Sequence, residues 1–224
     1  MNILLSIGSI ILCFSAILVV EKTMKKEGLY TWISVATILA NIIVCKTIDI
    51  GGVTLSLGNI MFASNYLVVD ILSEKYGAKY ANKAINNALI STIIFIATTQ
   101  ISLLFIPSTT DVVQESMKTL FDFNLRVSIA SLVMFYISNK VDIYLFEKLK
   151  TKYPRKLWLR NNISTIISNC GENYIFNTLA FIGIFDFSTI MSIATTSTII
   201  EIIVALLDTP FLYLSKYKIK SHQE

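Results

Sequence analysis

The chain has 224 residues, of which 54% are apolar and only 15% charged, a balance far from that of ordinary water-soluble domains. Lys and Arg number 19 against 15 Asp and Glu, a net charge of +4. Because these basic residues flank apolar windows, they read as topology signals and contacts for anionic lipid heads, which argues against a nucleic-acid partner.

The expected fold class is all-α: one domain, 1–224, forming a polytopic membrane bundle of about 6–7 transmembrane helices. Apolar windows place the spans at 3–20, 29–48, 59–73, 85–106, 127–147, 161–185 and 188–215. Each is near the length that crosses a hydrocarbon core about 30 Å thick. A secretory signal peptide competes for the first window. No Lys or Arg precedes it, however, and no small-residue cleavage site follows before Glu21-Lys22, so a retained span is expected. The third window is short and carries Asn59, Asn65 and Asp70.

Between the second and third spans, the segment from Ile48 to Gly58 alternates apolar and polar residues around Gly51-Gly52, the pattern of a short hairpin. The connection from Pro107 to Arg126 is polar and acidic at Asp111, Glu115 and Asp122, with room for a short interfacial helix. Either could serve as an outer lid or as a plain solvated loop.

The distribution of Lys and Arg tests the span count. One set of alternate connections carries Lys22, Lys25 and Lys26, then Lys75, Lys79 and Lys83. The same set continues with Lys140, Lys148, Lys150, Lys152, Arg155, Lys156 and Arg160, and ends with Lys216, Lys218 and Lys220. The other set holds only Lys46, Lys118 and Arg126. The expected orientation is therefore N-terminus out and C-terminus in.

Missing motifs narrow the chemistry further. No G-x-x-x-x-G-K-[ST] loop occurs, so ATP hydrolysis through a P-loop is not expected. The single histidine, His222, lies in the C-terminal tail, which leaves no imidazole for a triad or a zinc site within the spans. Cys13, Cys45 and Cys170 fall in separate apolar windows without metal or redox spacing. No enzyme activity, metal or cofactor is expected; an enzyme using paired membrane carboxylates on a lipid-borne substrate is the alternative that the acidic residues leave open.

Function is to be sought in the polar groups inside the spans, because an ionisable side chain in hydrocarbon costs several kcal/mol unless it faces a partner or a cavity. Phe62, Tyr66, Asp70 and Glu74 recur at i+4 on one helix face, with Asn65 beside them. Asn139 and Asp142 stand three apart. The sixth span brings Arg160, Ser164, Asn169, Glu172 and Asn173, with Phe176 one turn on, and the seventh aligns Glu201 with Asp208. The polar-pocket candidates are Phe62, Asn65, Tyr66, Asp70, Asn139, Asp142, Arg160, Asn169, Glu172, Asn173 and Glu201. Asparagines such as Asn41, Asn87 and Asn177 can instead hold helices together by interhelical hydrogen bonds. Glu74, Lys140 and Glu147 can reach the interface by snorkelling.

The stretch Phe62-Ala-Ser-Asn-Tyr-Leu-Val-Val-Asp-Ile-Leu-Ser-Glu-Lys-Tyr-Gly77 resembles the signature of the bacterial queuosine precursor transporters, a vitamin-uptake-transporter-like family. The resemblance extends to Asn139-Lys140-Val141-Asp142, to Ser164-Thr165 with Asn169 and Glu172 before Phe176, and to Pro210. It implies a helical-bundle importer of 7-deazaguanines, such as queuine or its aminomethyl and cyano precursors, for tRNA modification. It also implies a multi-pass location in the bacterial cytoplasmic membrane. Two departures are present: Glu172-Asn173 stands where the family often has Asp-Thr or Asp-Ser, and Ile200-Glu201 where it often has a lysine.

A deazaguanine offers adjacent N–H donors that suit a carboxylate, a carbonyl that suits Asn or Arg, and a flat face that suits an aromatic ring. An aminomethyl group adds a cation for a second carboxylate. Expected partners are a small-molecule substrate and the lipid bilayer, with a homo-oligomer left open. The alternative function is a substrate-binding membrane subunit of a vitamin importer that borrows an external ATPase module.

Overall fold

The computed structural model describes residues 1–44, 46–50, 53–121 and 125–217. Cys45, Gly51-Gly52, Asp122, Lys218, Lys220 and His222 lie outside them. Among the described residues the chain forms seven α-helices and one two-stranded antiparallel hairpin. In chain order these are α1 (Asn2–Ile43), β1 (Thr47–Ile50), β2 (Val53–Ser56), α2 (Gly58–Lys75), α3 (Ala78–Leu103), α4 (Gln114–Phe121), α5 (Leu125–Lys152), α6 (Leu157–Phe181) and α7 (Phe187–Tyr217).

The first two predicted spans are joined in α1, which folds back on itself at Lys25, a non-glycine residue with φ 53° and ψ −138°. That left-handed backbone breaks the helical hydrogen-bond ladder. The reversal is visible at both ends of the two arms. A Cβ on Gly28 would lie 2.6 Å from Val20 Cγ1 and 2.9 Å from the Val20 carbonyl oxygen, so only glycine lets the arms approach this closely. Far from the bend, Asn2 Nδ2 donates to the Asp49 carbonyl at 3.1 Å. The second arm ends at Ile43, several residues before the predicted limit of 48, because the chain turns there into the hairpin.

The hairpin pairs Thr47 with Ser56 and Ile50 with Val53, as the alternating pattern predicts. Ser56 anchors its exit: its hydroxyl donates to the Val44 carbonyl at 2.8 Å and accepts from Gly58 N at 3.2 Å. The short helix expected in the connection before Arg126 is α4. It is tied to α3 by Gln100 Nε2 donating to the Phe121 carbonyl at 3.0 Å and by the Phe95 and Phe121 rings, 5.9 Å apart. Asp186 opens α7 by accepting from Thr189 N at 3.0 Å and from its hydroxyl at 2.6 Å. These bonds hold the exposed Asp186 carboxyl below the usual carboxylate range.

Among the described residues, four helical stretches are long and apolar enough to cross a membrane: Asn2–Ile43, Ala78–Leu103, Val127–Lys152 and Phe187–Lys216. The helices α2 and α6 are more polar for a structural reason. Every residue of α2 from Ala63 to Ser73 is buried, so this helix faces protein on all sides and its polar groups need no contact with lipid. Around it, small side chains set close packing: Ala36 and Ala40 on α1 and Ala81, Ala84 and Ala88 on α3 are at most 1% exposed.

The two ends of the bundle differ. One end carries the hairpin, α4 and the α6–α7 turn; the other carries Lys25, Lys75, Lys150 and Lys216. At this basic end Lys75 pairs with Glu21 at 2.5 Å, and Glu74 receives Arg160, Lys216 at 2.7 Å and Lys150 at 3.7 Å. Five helices, α1, α2, α5, α6 and α7, are joined there by ion pairs.

Candidate functional site

At the hairpin end a cavity of about 60 Å³ opens between α1, α2, α5, α6 and α7. It is lined by Asn41, Val44, Asn59, Phe62, Tyr66, Val127, Ser131, Glu172, Asn173, Phe176 and Glu201. Each side chain arrives by helical spacing. Phe62 and Tyr66 are one turn apart on α2, and Glu172, Asn173 and Phe176 share a face of α6. Glu201 comes from α7, opposite them.

The floor is a hydrogen-bonded set from three helices. The Tyr66 phenol donates to Glu172 Oε2, and its oxygen lies 3.4 Å from the Ser138 hydroxyl of α5. Beside it Asn173 Nδ2 donates to Glu201 Oε2 at 2.7 Å. Each acid thus meets a neutral donor, and neither has a cation partner among the described residues. Two carboxylates facing a cavity with free acceptor capacity suit a ligand rich in N–H donors or carrying an amine. The rings of Phe62, Tyr66 and Phe176 provide apolar walls for a flat molecule.

Of the eleven residues selected from sequence, the structure brings Phe62, Tyr66, Glu172, Asn173 and Glu201 to this cavity. The remaining six lie elsewhere. Asn65 points from α2 toward α1 and donates to Thr37 Oγ1 at 3.1 Å. Asn169 lines a narrower space beneath the cavity with Ala63, Tyr66, Thr165, Glu201, Val204, Ala205 and Asp208. Asp70, Asn139 and Asp142 are buried deeper, each at most 1% exposed. Arg160, also 1% exposed, is held at the basic end by Glu74 and by the Pro154 carbonyl, 2.9 Å from Nη1, with its guanidinium 5.3 Å from the Phe146 ring.

Sequence reasoning missed Asn41, Asn59 and Ser131. Asn41 reads as interhelical glue, but its amide donates within its own helix, to the Thr37 carbonyl at 2.8 Å, while it lines the cavity. Asn59 is polar at the mouth of a buried helix, a signal that could have selected it. Glu74, expected to snorkel, is instead nearly buried, with its side chain 7% exposed beneath three cations.

Comparison with known proteins adds the lineage. No solved structure matches the chain. It is 34% identical over 215 residues, 95% of this chain and 94% of the relative, to a Bacillus subtilis (strain 168) protein named "Probable queuosine precursor transporter". The family model described as "Putative vitamin uptake transporter" matches residues 56–215, a stretch that contains α2 through most of α7 and most of the cavity wall. On this match and that identity, the chain belongs to the vitamin uptake transporter family.

Proposed function

We propose that this chain is a membrane transporter that imports queuosine precursors, 7-deazaguanine bases such as queuine and its aminomethyl and cyano precursors, across the bacterial cytoplasmic membrane. The observation that carries the reading is the cavity: two acids without a cation partner among the described residues, Glu172 and Glu201, stand among asparagines and aromatic rings. The B. subtilis relative's name supplies the substrate class. In this reading a carboxylate accepts the N–H donors of the base edge, an asparagine meets its carbonyl, and the second carboxylate takes a substituent amine.

The bundle crosses the membrane seven times in this reading, by the two arms of α1 and by α2, α3, α5, α6 and α7, with the basic end in the cytoplasm. The shortest of these helices, α2, has 18 residues and spans about 27 Å at 1.5 Å per residue. The concentration of Lys and Arg at one end supports this orientation. The cavity then opens outward while the ion pairs around Glu74 close the cytoplasmic side.

The test is uptake of labelled queuine and its precursors by cells that cannot make them, with and without this chain, followed by the purified chain alone in proteoliposomes. Saturable uptake in both is expected. Uptake in cells but none in proteoliposomes, restored by an added ATPase module, would replace this reading with that of a substrate-binding subunit.

A further inference from the structure

Beneath the cavity the bundle holds a second group of acids that the substrate site does not use. Asp70 of α2, Asp142 of α5 and Asp208 of α7 are each at most 1% exposed. The charged groups acting on Asp70 are Asp142, Asp208, Glu74 on its own helix and Arg160 of α6. The donors that reach Asp142 and Asp208 are neutral: Thr165 Oγ1 donates to Asp142 Oδ1 at 3.3 Å, and Asn161 Nδ2 to Asp208 Oδ1 at 2.8 Å. Neither oxygen of Asp70 has a hydrogen-bond partner among the described residues, nor has Asp142 Oδ2. The side-chain oxygens of Asn139, Asn161 and Asn169 are likewise buried acceptors without donors.

The nearby cations are mostly engaged elsewhere; Arg160 alone keeps a buried donor, Nε, without an acceptor among the described residues. Arg160, Lys150 and Lys216 converge on Glu74, Lys75 pairs with Glu21 of α1, and Lys140 donates to Asn82 of α3 at 2.5 Å. Three buried carboxylates whose charges act on one another, shut off from water and lipid and with Arg160 as the one nearby cation for all three, cannot all be ionised, because desolvation and mutual repulsion each cost several kcal/mol. An excess of buried acceptors over donors calls for a ligand that brings its own positive charge and donor. Among the described residues no group of three or more His, Cys, Asp or Glu side chains is arranged to hold a metal ion. The smallest such ligand is a proton.

We propose that Asp70, Asp142 and Asp208 form a proton-binding site, separate from the substrate cavity, whose occupancy couples substrate movement to the proton gradient. This inference rests on the transport reading above. The narrow space lined by Tyr66, Thr165, Asn169, Glu201 and Asp208 joins the two sites. On the other side Glu74 follows Asp70 by one helical turn, so acids step from the cavity to the basic end. A proton enters from the outer side by way of Glu201 and converts one of the three carboxylates to a carboxylic acid. It leaves toward the cytoplasm when the ion pairs of Glu74 part, restoring the carboxylate; no other bond changes. Pro210, two residues after Asp208 inside α7, cannot donate a helical hydrogen bond and gives that helix a point at which to bend as the charge changes.

The experiment uses the full chain in proteoliposomes with labelled queuine, comparing wild type with Asp208→Asn and Asp142→Asn. Counterflow at equal pH on both sides measures substrate recognition and translocation alone. Accumulation under an inside-alkaline gradient measures coupling: about one pH unit supports up to about tenfold accumulation if one proton accompanies each substrate. Infrared spectra of the protein without substrate read the carboxylic-acid carbonyl band directly. Wild type should accumulate queuine, and each variant should keep counterflow, lose accumulation and lose intensity in the acid band.

Wild-type counterflow with no response to a pH gradient, or a response to sodium alone, would overturn the proton site and leave the transport reading standing. Absence of counterflow with every 7-deazaguanine would overturn the transport reading. The infrared band decides the proton site in that case too: a band unchanged in both variants sinks it.

Discussion

The phenol of Tyr66 donates to the carboxylate of Glu172, joining the middle of α2 to the middle of α6 at the floor of the cavity. The two residues are 106 positions apart in sequence, and Ser138 of α5 closes the group at 3.4 Å from the phenol oxygen. A buried hydroxyl satisfied by a carboxylate fixes the direction in which that carboxylate presents its other lone pairs.

Glu172→Gln keeps the shape of this floor and removes its charge. Uptake should fall at least about tenfold, equivalent to about 1.4 kcal/mol, while insertion and yield stay as in wild type. Tyr66→Phe should give a smaller loss, because Glu172 keeps its charge and loses only one of its donors. Initial rates of labelled queuine uptake, normalised to membrane-inserted protein, measure both; wild-type rates in Glu172→Gln would remove this acid from the site.

Glu201 differs in role, since its Oε2 accepts from the Asn173 amide at 2.7 Å. If it receives the substrate's amine, Glu201→Gln should weaken uptake of queuine and the aminomethyl precursor about tenfold or more, the scale of a lost charge-assisted hydrogen bond of about 1.5–3 kcal/mol. The uncharged cyano precursor should be spared. Competition of the three compounds against one labelled tracer reads the difference, and an equal loss for all three would assign Glu201 to something other than the amine.

Glu74 and Arg160 are expected to matter for stability before transport. Their side chains are 7% and 1% exposed, and removing the acid by Glu74→Gln leaves Arg160 buried without its carboxylate. A broken buried pair of this kind costs about 3–5 kcal/mol. Lys216, whose side chain is 47% exposed, contributes through a solvent-screened pair, so Lys216→Gln should cost less than about 1 kcal/mol. Thermal unfolding in detergent should therefore separate the two variants clearly; equal melting points would contradict the burial argument.

The helical hairpin of α1 predicts a steric effect at Gly28. A Cβ there meets the Val20 side chain at 2.6 Å and the Val20 backbone oxygen at 2.9 Å, whereas nothing lies within 4 Å of a Cβ on Gly8. Gly28→Val should destabilise by about 1–3 kcal/mol through forced separation of the arms. Gly8→Val should leave the melting temperature near that of wild type.

Orientation is testable through accessibility. With Cys13, Cys45 and Cys170 replaced by serine, a cysteine at Ser108 should react with an impermeant thiol reagent applied outside intact cells. One at Lys152 should react only after permeabilisation. Labelling of Lys152→Cys from outside would reverse the proposed orientation.

Element types and approximate limits were legible in the sequence because they depend on near neighbours. Apolar windows interrupted by Lys and Gly mark the helices, alternation around Gly-Gly marks the hairpin, and the acidic connection accommodates α4. The fusion of the first two spans into a folded-back α1 was not legible, because it turns on a positive φ at Lys25, which the identity of a lysine does not announce.

The site was only partly legible, and the reason is geometric. Residues four apart share a helix face, so Phe62, Tyr66, Asp70 and Glu74 read as one face, with Phe62, Tyr66 and Asp70 expected at a pocket and Glu74 at the interface. Twelve residues of helix also cover about 18 Å of depth, more than one small base can touch. Sequence spacing determined which side of α2 these residues occupy. Only the packing of α1, α5, α6 and α7 around that side decided that Phe62 and Tyr66 meet a cavity, that Asp70 is buried within electrostatic reach of Asp142 and Asp208, and that Glu74 meets Arg160. Contacts between residues up to 142 positions apart arise from how helices cross, and a helix's own sequence records its faces without recording what each depth of a face will touch.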